Sequence, residues 1–114
     1  MAIEVIVRGS RGATVVDFHG CLDFHSRWHV KAIINQCCHT EREHLILNLQ
    51  GLTFMDSAGL GFLVLCSHKF KESGRRITWI QPQGCVGDLL ESLQIHELIS
   101  ICRTEQDALF STSY

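Results

Sequence analysis

The segment Asn48-Leu49-Gln50-Gly51-Leu52-Thr53-Phe54-Met55-Asp56-Ser57-Ala58-Gly59-Leu60-Gly61 sets a hydroxyl where a strand should give way to a helix. Residues 45–49 are strand-type, and the run stops at Gln50-Gly51. A short connection follows, and Asp56-Ser57 then open a segment in which Leu60, Leu63 and Val64 recur at the i, i+3, i+4 spacing of a helix packed on a sheet. Either Asp56 or Ser57 suits the N-cap, because a short side-chain oxygen there accepts from the free N–H groups of the first turn. A hydroxyl in this place is exposed and lies at the positive end of the helix dipole, where added negative charge is tolerated. Gly59 and Gly61 keep the first turn slim, so that another surface can approach the backbone. A serine at a helix start can equally be a cap and nothing more. Taken alone, the segment establishes a capped amphipathic helix after a buried strand.

Other reactive side chains have less suggestive spacing. The six cysteines, Cys21, Cys37, Cys38, Cys66, Cys85 and Cys102, form no C-x-x-C pair, and the adjacent Cys37-Cys38 is not the spacing of a zinc knuckle. They read as free thiols buried as small hydrophobes, in a cytosolic chain. His25 and His29 lie four apart, which on a helix would put two imidazoles on one face, but no third ligand is evident and no metal site is assigned. There is no Walker loop, no paired-glycine fingerprint and no metalloprotease helix. Gly59-Leu60-Gly61 lies inside the helix with Val64 at the last glycine position of G-x-G-x-x-G. Ser57 has Met55 two residues before it, so it is no nucleophile elbow. These features imply no cofactor and no intrinsic catalysis. The chain reads as a substrate and ligand of other proteins.

Positioning Ser57 requires a sheet. Residues 3–7 alternate, with Ile3, Val5 and Val7 expected inward against Glu4, Ile6 and Arg8. Gly9-Ser10-Arg11-Gly12 is a hairpin turn, and residues 13–18, β-branched at Thr14, Val15 and Val16, make a second strand ended by Gly20. Asp23 precedes a helix with Ser26 as its N-cap and one apolar stripe of Val30, Ile33, Ile34 and Cys37. After a polar connection at Thr40-Glu41-Arg42-Glu43, residues 44–49 are apolar on both faces, as in a central strand. The Ser57 helix runs to about Ser73, with Gly74 in the C′ position. A strand at 77–80, a helix carrying Val86, Leu89, Leu90 and Leu93, and a strand at 98–101 follow. Thr104-Glu105-Gln106-Asp107 resembles a capping box opening a short last helix with Ala108, Leu109 and Phe110, and residues 111–114 should fray. The order ββαβαβαβα predicts an α/β fold with a mixed, mainly parallel sheet of about five strands and about four helices. So many elements in so short a chain leave little room for a deep ligand cavity.

One hundred and fourteen residues make a single domain, 1–114, able to bury roughly two thirds of its unfolded surface. Ten basic against 12 acidic residues give a formal charge of -2, which argues against a general nucleic-acid binder. The one tight basic pair, Arg75-Arg76, follows Gly74 and reads as a turn. No apolar region follows a basic start as in a signal peptide, and the longest greasy run, 60–66, is far short of a membrane span. A cytosolic protein with no membrane partner is expected.

The stretch from Asn48 to Gly61 resembles the signature of the STAS-domain family of bacterial anti-sigma factor antagonists. Gly20-Cys21-Leu22-Asp23 resembles that family's Gly-Glu-Leu-Asp, Gly74-Arg75-Arg76-Ile77 falls where the family turns from its second helix into a strand, and residues 89–98 resemble its leucine-rich third helix and the strand after it. The resemblance spans nearly the whole chain. It implies that Ser57 is the phosphorylation site of a partner serine kinase that is also an anti-sigma factor, that Asp23, Asp56, Ser57, Ala58 and Gly59 form the partner-binding surface, and that a phosphatase resets the switch. Cys21 stands where the family usually has Glu, which removes a charge near the presumed docking face. Ala58 stands where Ser or Thr is common, which leaves Ser57 the clear target. A role as an adaptor subunit of a lipid-transport or other signalling complex is the alternative that the same family offers.

Overall fold

The computed structural model describes residues 2–38 and 43–110. Residues 40–42 of the expected polar connection, and the tail at 111–114 expected to fray, lie outside them. The chain begins with a hairpin, β1 (Ile3–Ser10) and β2 (Ala13–Leu22), turned by Arg11 and Gly12, both at positive φ, as a two-residue loop matched to strand twist requires. Then follow α1 (Arg27–Cys38), β3 (His44–Met55), α2 (Ser57–Glu72), β4 (Arg76–Ile80), α3 (Gly84–Ser92), a 3₁₀ turn (Ile95–Glu97), β5 (Ile101–Cys102) and α4 (Glu105–Phe110). One sheet runs β1-β2-β3-β4-β5, antiparallel between β1 and β2 and parallel thereafter. Consecutive parallel strands joined by right-handed crossovers put their helices on one face. Accordingly Val30 and Ile34 of α1, Leu60 and Leu63 of α2, and Val86 and Leu90 of α3 share one core with Phe18, Leu47 and Trp79. The opposite face, Ala13, Val15, Ile46 and Ile80, is closed by Ala108 of α4.

The expected order of elements and the mixed sheet are both present. Several boundaries differ, for physical reasons. β2 does not end at Gly20, nor β3 at Leu49. The two strands run on together as Gly51 pairs with His19 and Met55 with Leu22, with register irregularities on either side of His19–Gly20. A side chain at Gly51 would strike the Phe18 carbonyl and the His19 ring. Gln50-Gly51 is thus a close approach inside a strand, not its end. Val7, expected inward, is 48 % exposed, because no helix among the described residues covers this edge of the sheet. β5 is short and later than expected. Its place is set where the Trp79 N–H donates to the Ser100 carbonyl and the Gln81 N–H to the Cys102 carbonyl, while Leu98 stays exposed. Leu93, expected on the third helix stripe, lies just past α3 and is exposed.

The Ser26 hydroxyl does not cap α1: it accepts from the Asp23 N–H at 2.9 Å and donates to the Cys21 carbonyl at 3.0 Å. His25 lies in the turn before α1 and only His29 is helical, so the two imidazoles do not share a helix face. Cys21 and Cys37 are buried thiols as expected, but Cys85 is exposed. The Thr104 hydroxyl accepts from the Asp107 N–H, as a capping box begins.

Two polar clasps complete the packing. Trp79, wholly buried, donates its indole N–H to the Ser67 hydroxyl at 2.9 Å. On the other face Arg8 bridges Asp17, at 2.7 Å, and Glu105, tying the hairpin to α4. Burial alone would raise the Asp17 carboxyl; hydrogen bonds from Arg8 and Asn48, with the Arg8 charge, outweigh it and hold the group below the ordinary aspartate range. Glu105 is likewise held low, chiefly by its hydrogen bonds from Arg8.

Candidate functional site: the junction of β3 and α2

β3 delivers Asp56 to the C-terminal rim of the sheet in an extended conformation (φ -96°, ψ 176°) that breaks the strand and starts α2. Asp56 is the N-cap: one carboxylate oxygen accepts from the Gly59 N–H at 2.7 Å, satisfying a first-turn donor. The other oxygen accepts from the Phe24 N–H at 3.2 Å. The Asp56 N–H in turn donates to the Leu22 carbonyl at 3.3 Å. A single residue therefore caps α2 and fastens the loop between β2 and α1 to it.

Because Asp56 does the capping, Ser57 does not. Ser57 is the first residue of α2, it is exposed, and its hydroxyl has no hydrogen-bond partner among the described residues. The first turn of α2 carries no acidic residue, so at this helix start the negative charge that meets the positive end of the dipole is the N-cap carboxylate of Asp56. Ala58 is half-buried beside Ser57. Gly59 is buried, and a Cβ there would collide with the Leu22 carbonyl, so this glycine lets α2 seat against the end of β2. Gly61 faces open space.

Asp23 belongs to the loop that Asp56 fastens. Its carboxylate accepts from the Ser26 N–H at 2.9 Å and the His25 N–H at 3.0 Å, and the Ser26 bond foremost holds it below the usual aspartate range. The carboxylate thus shapes the loop before α1. Cys21 is buried, with its thiol 3.9 Å from the Thr53 hydroxyl, so the charge that a glutamate would carry at this position is not missing from an exposed surface.

The sequence reading missed the aromatic rim of this site. Phe24, whose N–H is held by Asp56, is half-exposed with the Arg27 guanidinium stacked 3.6 Å from its ring centre. Arg27 also lies 4.8 Å from the Trp28 ring, and Lys31 lies 5.2 Å from it. Phe54, two residues before Asp56, is exposed as well. Spaced large aromatics among cations just before and within a helix, Phe24, Arg27, Trp28 and Lys31, are the signal that could have disclosed it. No group of three metal-ligating side chains occurs among the described residues. An open polar cleft of about 380 Å³, lined by Gln50, Gln81, Asp88, Glu91 and Arg103 among others, lies beside α3 and includes none of the Ser57 site.

A family model for the STAS domain matches residues 4–108. The chain belongs to the STAS-domain family. This STAS domain is 26 % identical over 110 residues to the anti-sigma F factor antagonist of Paenibacillus polymyxa, a match that covers 96 % of this chain and 94 % of that protein. Its fold superposes with a TM-score of 0.84 on the crystal structure of an anti-sigma factor antagonist from Mycobacterium paratuberculosis, at 19 % identity over 95 % of this chain and 92 % of the other. It is also similar to the Bacillus cell-fate determinant SpoIIAA in its phosphorylated form, with a TM-score of 0.67 and 21 % identity over 95 % of this chain and 96 % of the other. These structural likenesses show that the fold is shared over nearly the whole chain. No helix among the described residues is long and apolar enough to cross a membrane.

Proposed function

We propose that this STAS domain is an anti-sigma factor antagonist that acts as a binding module, with its affinity gated by phosphorylation of Ser57. The observation that carries the reading is the Ser57 hydroxyl: exposed, unbonded and at the start of α2, because Asp56 has taken the cap. The similarity to named anti-sigma factor antagonists supports it. Unmodified, the surface around Asp23, Asp56, Ser57 and Ala58, with Gly59 setting its depth and Phe24 and Phe54 at its rim, docks on an anti-sigma factor kinase, which then frees its sigma factor. The kinase transfers the γ-phosphoryl of ATP to the Ser57 oxygen, the hydroxyl proton leaves, and ADP departs. A phosphatase reverses the modification by hydrolysis.

The added group carries about -1.5 to -2 charges and three acceptor oxygens. Within the monomer the α2 N-terminus offsets part of that charge. Across a docked interface, one like-charge contact at about 5 Å with an effective dielectric near 20 costs roughly 3 kcal/mol, about a hundredfold in affinity. Release therefore needs no refolding. The test is to incubate the protein with its cognate anti-sigma factor kinase and ATP and read intact mass and peptide maps. One added phosphate, located on Ser57 and absent from Ser57→Ala, is the expected result. Equal phosphorylation of Ser57→Ala would reject the assignment.

A further inference from the structure

β1 is an open edge of the sheet. Natural proteins blunt such edges with proline, lysine, a bulge or a covering helix, since unpaired backbone groups there template further pairing. Among the described residues β1 has no proline, lysine, bulge or covering helix, its charged side chains being Glu4 and Arg8: Ile3 to Ser10 reads IEVIVRGS, pairs with β2 without a register break, and leaves Ile6 at 46 % and Val7 at 48 % exposure. These two side chains point to opposite faces, so each face of the edge carries an uncovered apolar residue.

The hairpin fixes which backbone groups point outward. In a two-residue hairpin the residues flanking the loop, here Ser10 and Ala13, form the hydrogen-bonded pair, and pairs alternate from there. The Cys21 N–H donating to the Ala2 carbonyl keeps the same phase at the far end. Glu4, Ile6 and Arg8 therefore turn their N–H and C=O groups toward β2. Ile3, Val5, Val7 and Gly9 turn theirs to the open edge.

We propose that β1 is a self-association strand: two copies of this chain pair antiparallel through it, about a two-fold axis at Ile6. In that register Val5 meets Val7 of the second copy, and Ile3 meets Gly9, as hydrogen-bonded pairs that use the outward backbone groups. Ile6 meets Ile6, and Glu4 meets Arg8, as the closer non-bonded pairs. The strand is thus complementary to itself in backbone phase and apolar contact. Parallel in-register pairing would instead set Glu4 against Glu4 and Arg8 against Arg8. The Arg8 side chain is 39 % exposed while it bridges Asp17 and Glu105, so its charge is already met by two carboxylates and adds no attraction for Glu4 of the second copy. The two sheets would run on as one. β2 separates β1 from β3, so both Ser57 sites stay open in the pair.

The contact is symmetric and closes after two copies, so the expected species is a dimer and not a fibre. Sedimentation equilibrium over a concentration series should show a reversible monomer–dimer equilibrium. Val7→Pro removes an N–H that the monomer does not use, on an edge strand where proline is tolerated, and should weaken the dimer roughly thirtyfold at an unchanged monomer melting temperature. Ile6→Lys, which removes the apolar contact on the two-fold axis and sets two cations against each other there, should weaken it by about tenfold, less so at high salt. Should Val7→Pro lower the monomer melting temperature, Ile6→Lys decides alone. A wild-type protein that is monomeric up to its solubility limit, or a dimer that neither variant weakens, overturns the proposal.

Discussion

Replacing Asp56 by alanine should cost the fold about 2 kcal/mol, whereas replacing Ser57 by alanine should cost almost nothing. The contrast follows from which of the two adjacent side chains is bonded. Asp56 accepts from the Gly59 N–H at 2.7 Å, and loss of such an N-cap costs about 1 kcal/mol. Gly59 is buried against Leu22, so water replaces that acceptor poorly. The second oxygen accepts from the Phe24 N–H, a charge-assisted bond worth about another 1 kcal/mol at this half-exposed position. Urea titration should show the midpoint falling with the slope unchanged, and the melting temperature should drop by roughly 8–12 °C. Asp56→Asn keeps one acceptor oxygen and should lose about half as much, since asparagine caps nearly as well as aspartate. Ser57→Ala should stay within about 0.5 kcal/mol of the wild type, as exposed unbonded positions do. A loss below about 0.5 kcal/mol for Asp56→Ala, or a larger loss for Ser57→Ala than for Asp56→Ala, would refute the assignment of the cap and with it the reason that the serine hydroxyl is free.

Gly59→Ala should destabilise by about 2 kcal/mol or more by driving a Cβ into the Leu22 carbonyl, while Gly61→Ala, facing open space within the helix, should stabilise by about 1 kcal/mol; paired thermal melts check both. Arg8→Met should cost about 2 kcal/mol at neutral pH, because it strands the largely buried Asp17 carboxylate, and the loss should shrink in acid. The sign follows from Asp17 and Glu105 being held below their ordinary values of 3.8 and 4.5. Their contribution is complete above those values and fades as pH falls through the lower folded values, which a stability–pH profile of wild type against variant would display. His44 adds to acid sensitivity: burial, then the Arg76 charge, lowers its pKa from 6.5, so the neutral ring bonded to Thr78 loses stabilising effect as pH falls below that value. Ser57→Asp should weaken binding to the anti-sigma factor kinase by one to two orders of magnitude in calorimetry with no change in melting temperature.

Much of this molecule could be read from pattern, and its exceptions share one cause. The element order, the stripe of Val30, Ile34 and Cys37, and the start of α2 at Asp56-Ser57 are local signals, and each appears where expected. Choosing between Asp56 and Ser57 as the cap was beyond local spacing. Asp56 is the cap because its carboxylate accepts from the Gly59 N–H, and its second oxygen is held by the Phe24 N–H from a loop more than thirty residues earlier in the chain. Glycine in a strand pattern looks like punctuation, yet Gly51 answers to His19 and Phe18 on the neighbouring strand. Alternation assigned Val7 correctly to the face of Val5, but alternation says nothing about whether a helix extends over that part of the sheet. The apolar run Leu98 to Ile101 does not locate the last strand, because pairing with β4 fixes its position at Ile101–Cys102. The aromatic rim was overlooked because Phe24 precedes the helix and joins the site only through Asp56.

The chain has two tryptophans, and they lie in opposite environments. Trp79 is sealed between the sheet and α2 with its indole N–H on Ser67, whereas Trp28 is 58 % exposed on α1 beside Arg27 and Lys31. Indole emission is therefore split by nature into a blue, quencher-shielded component that follows the interior and a red, quencher-accessible one that follows the outer surface of α1. A ligand that lands on the aromatic rim perturbs the second without the first, while melting moves both. The protein thus reports on encounter and on unfolding in separate optical channels, with no dye attached.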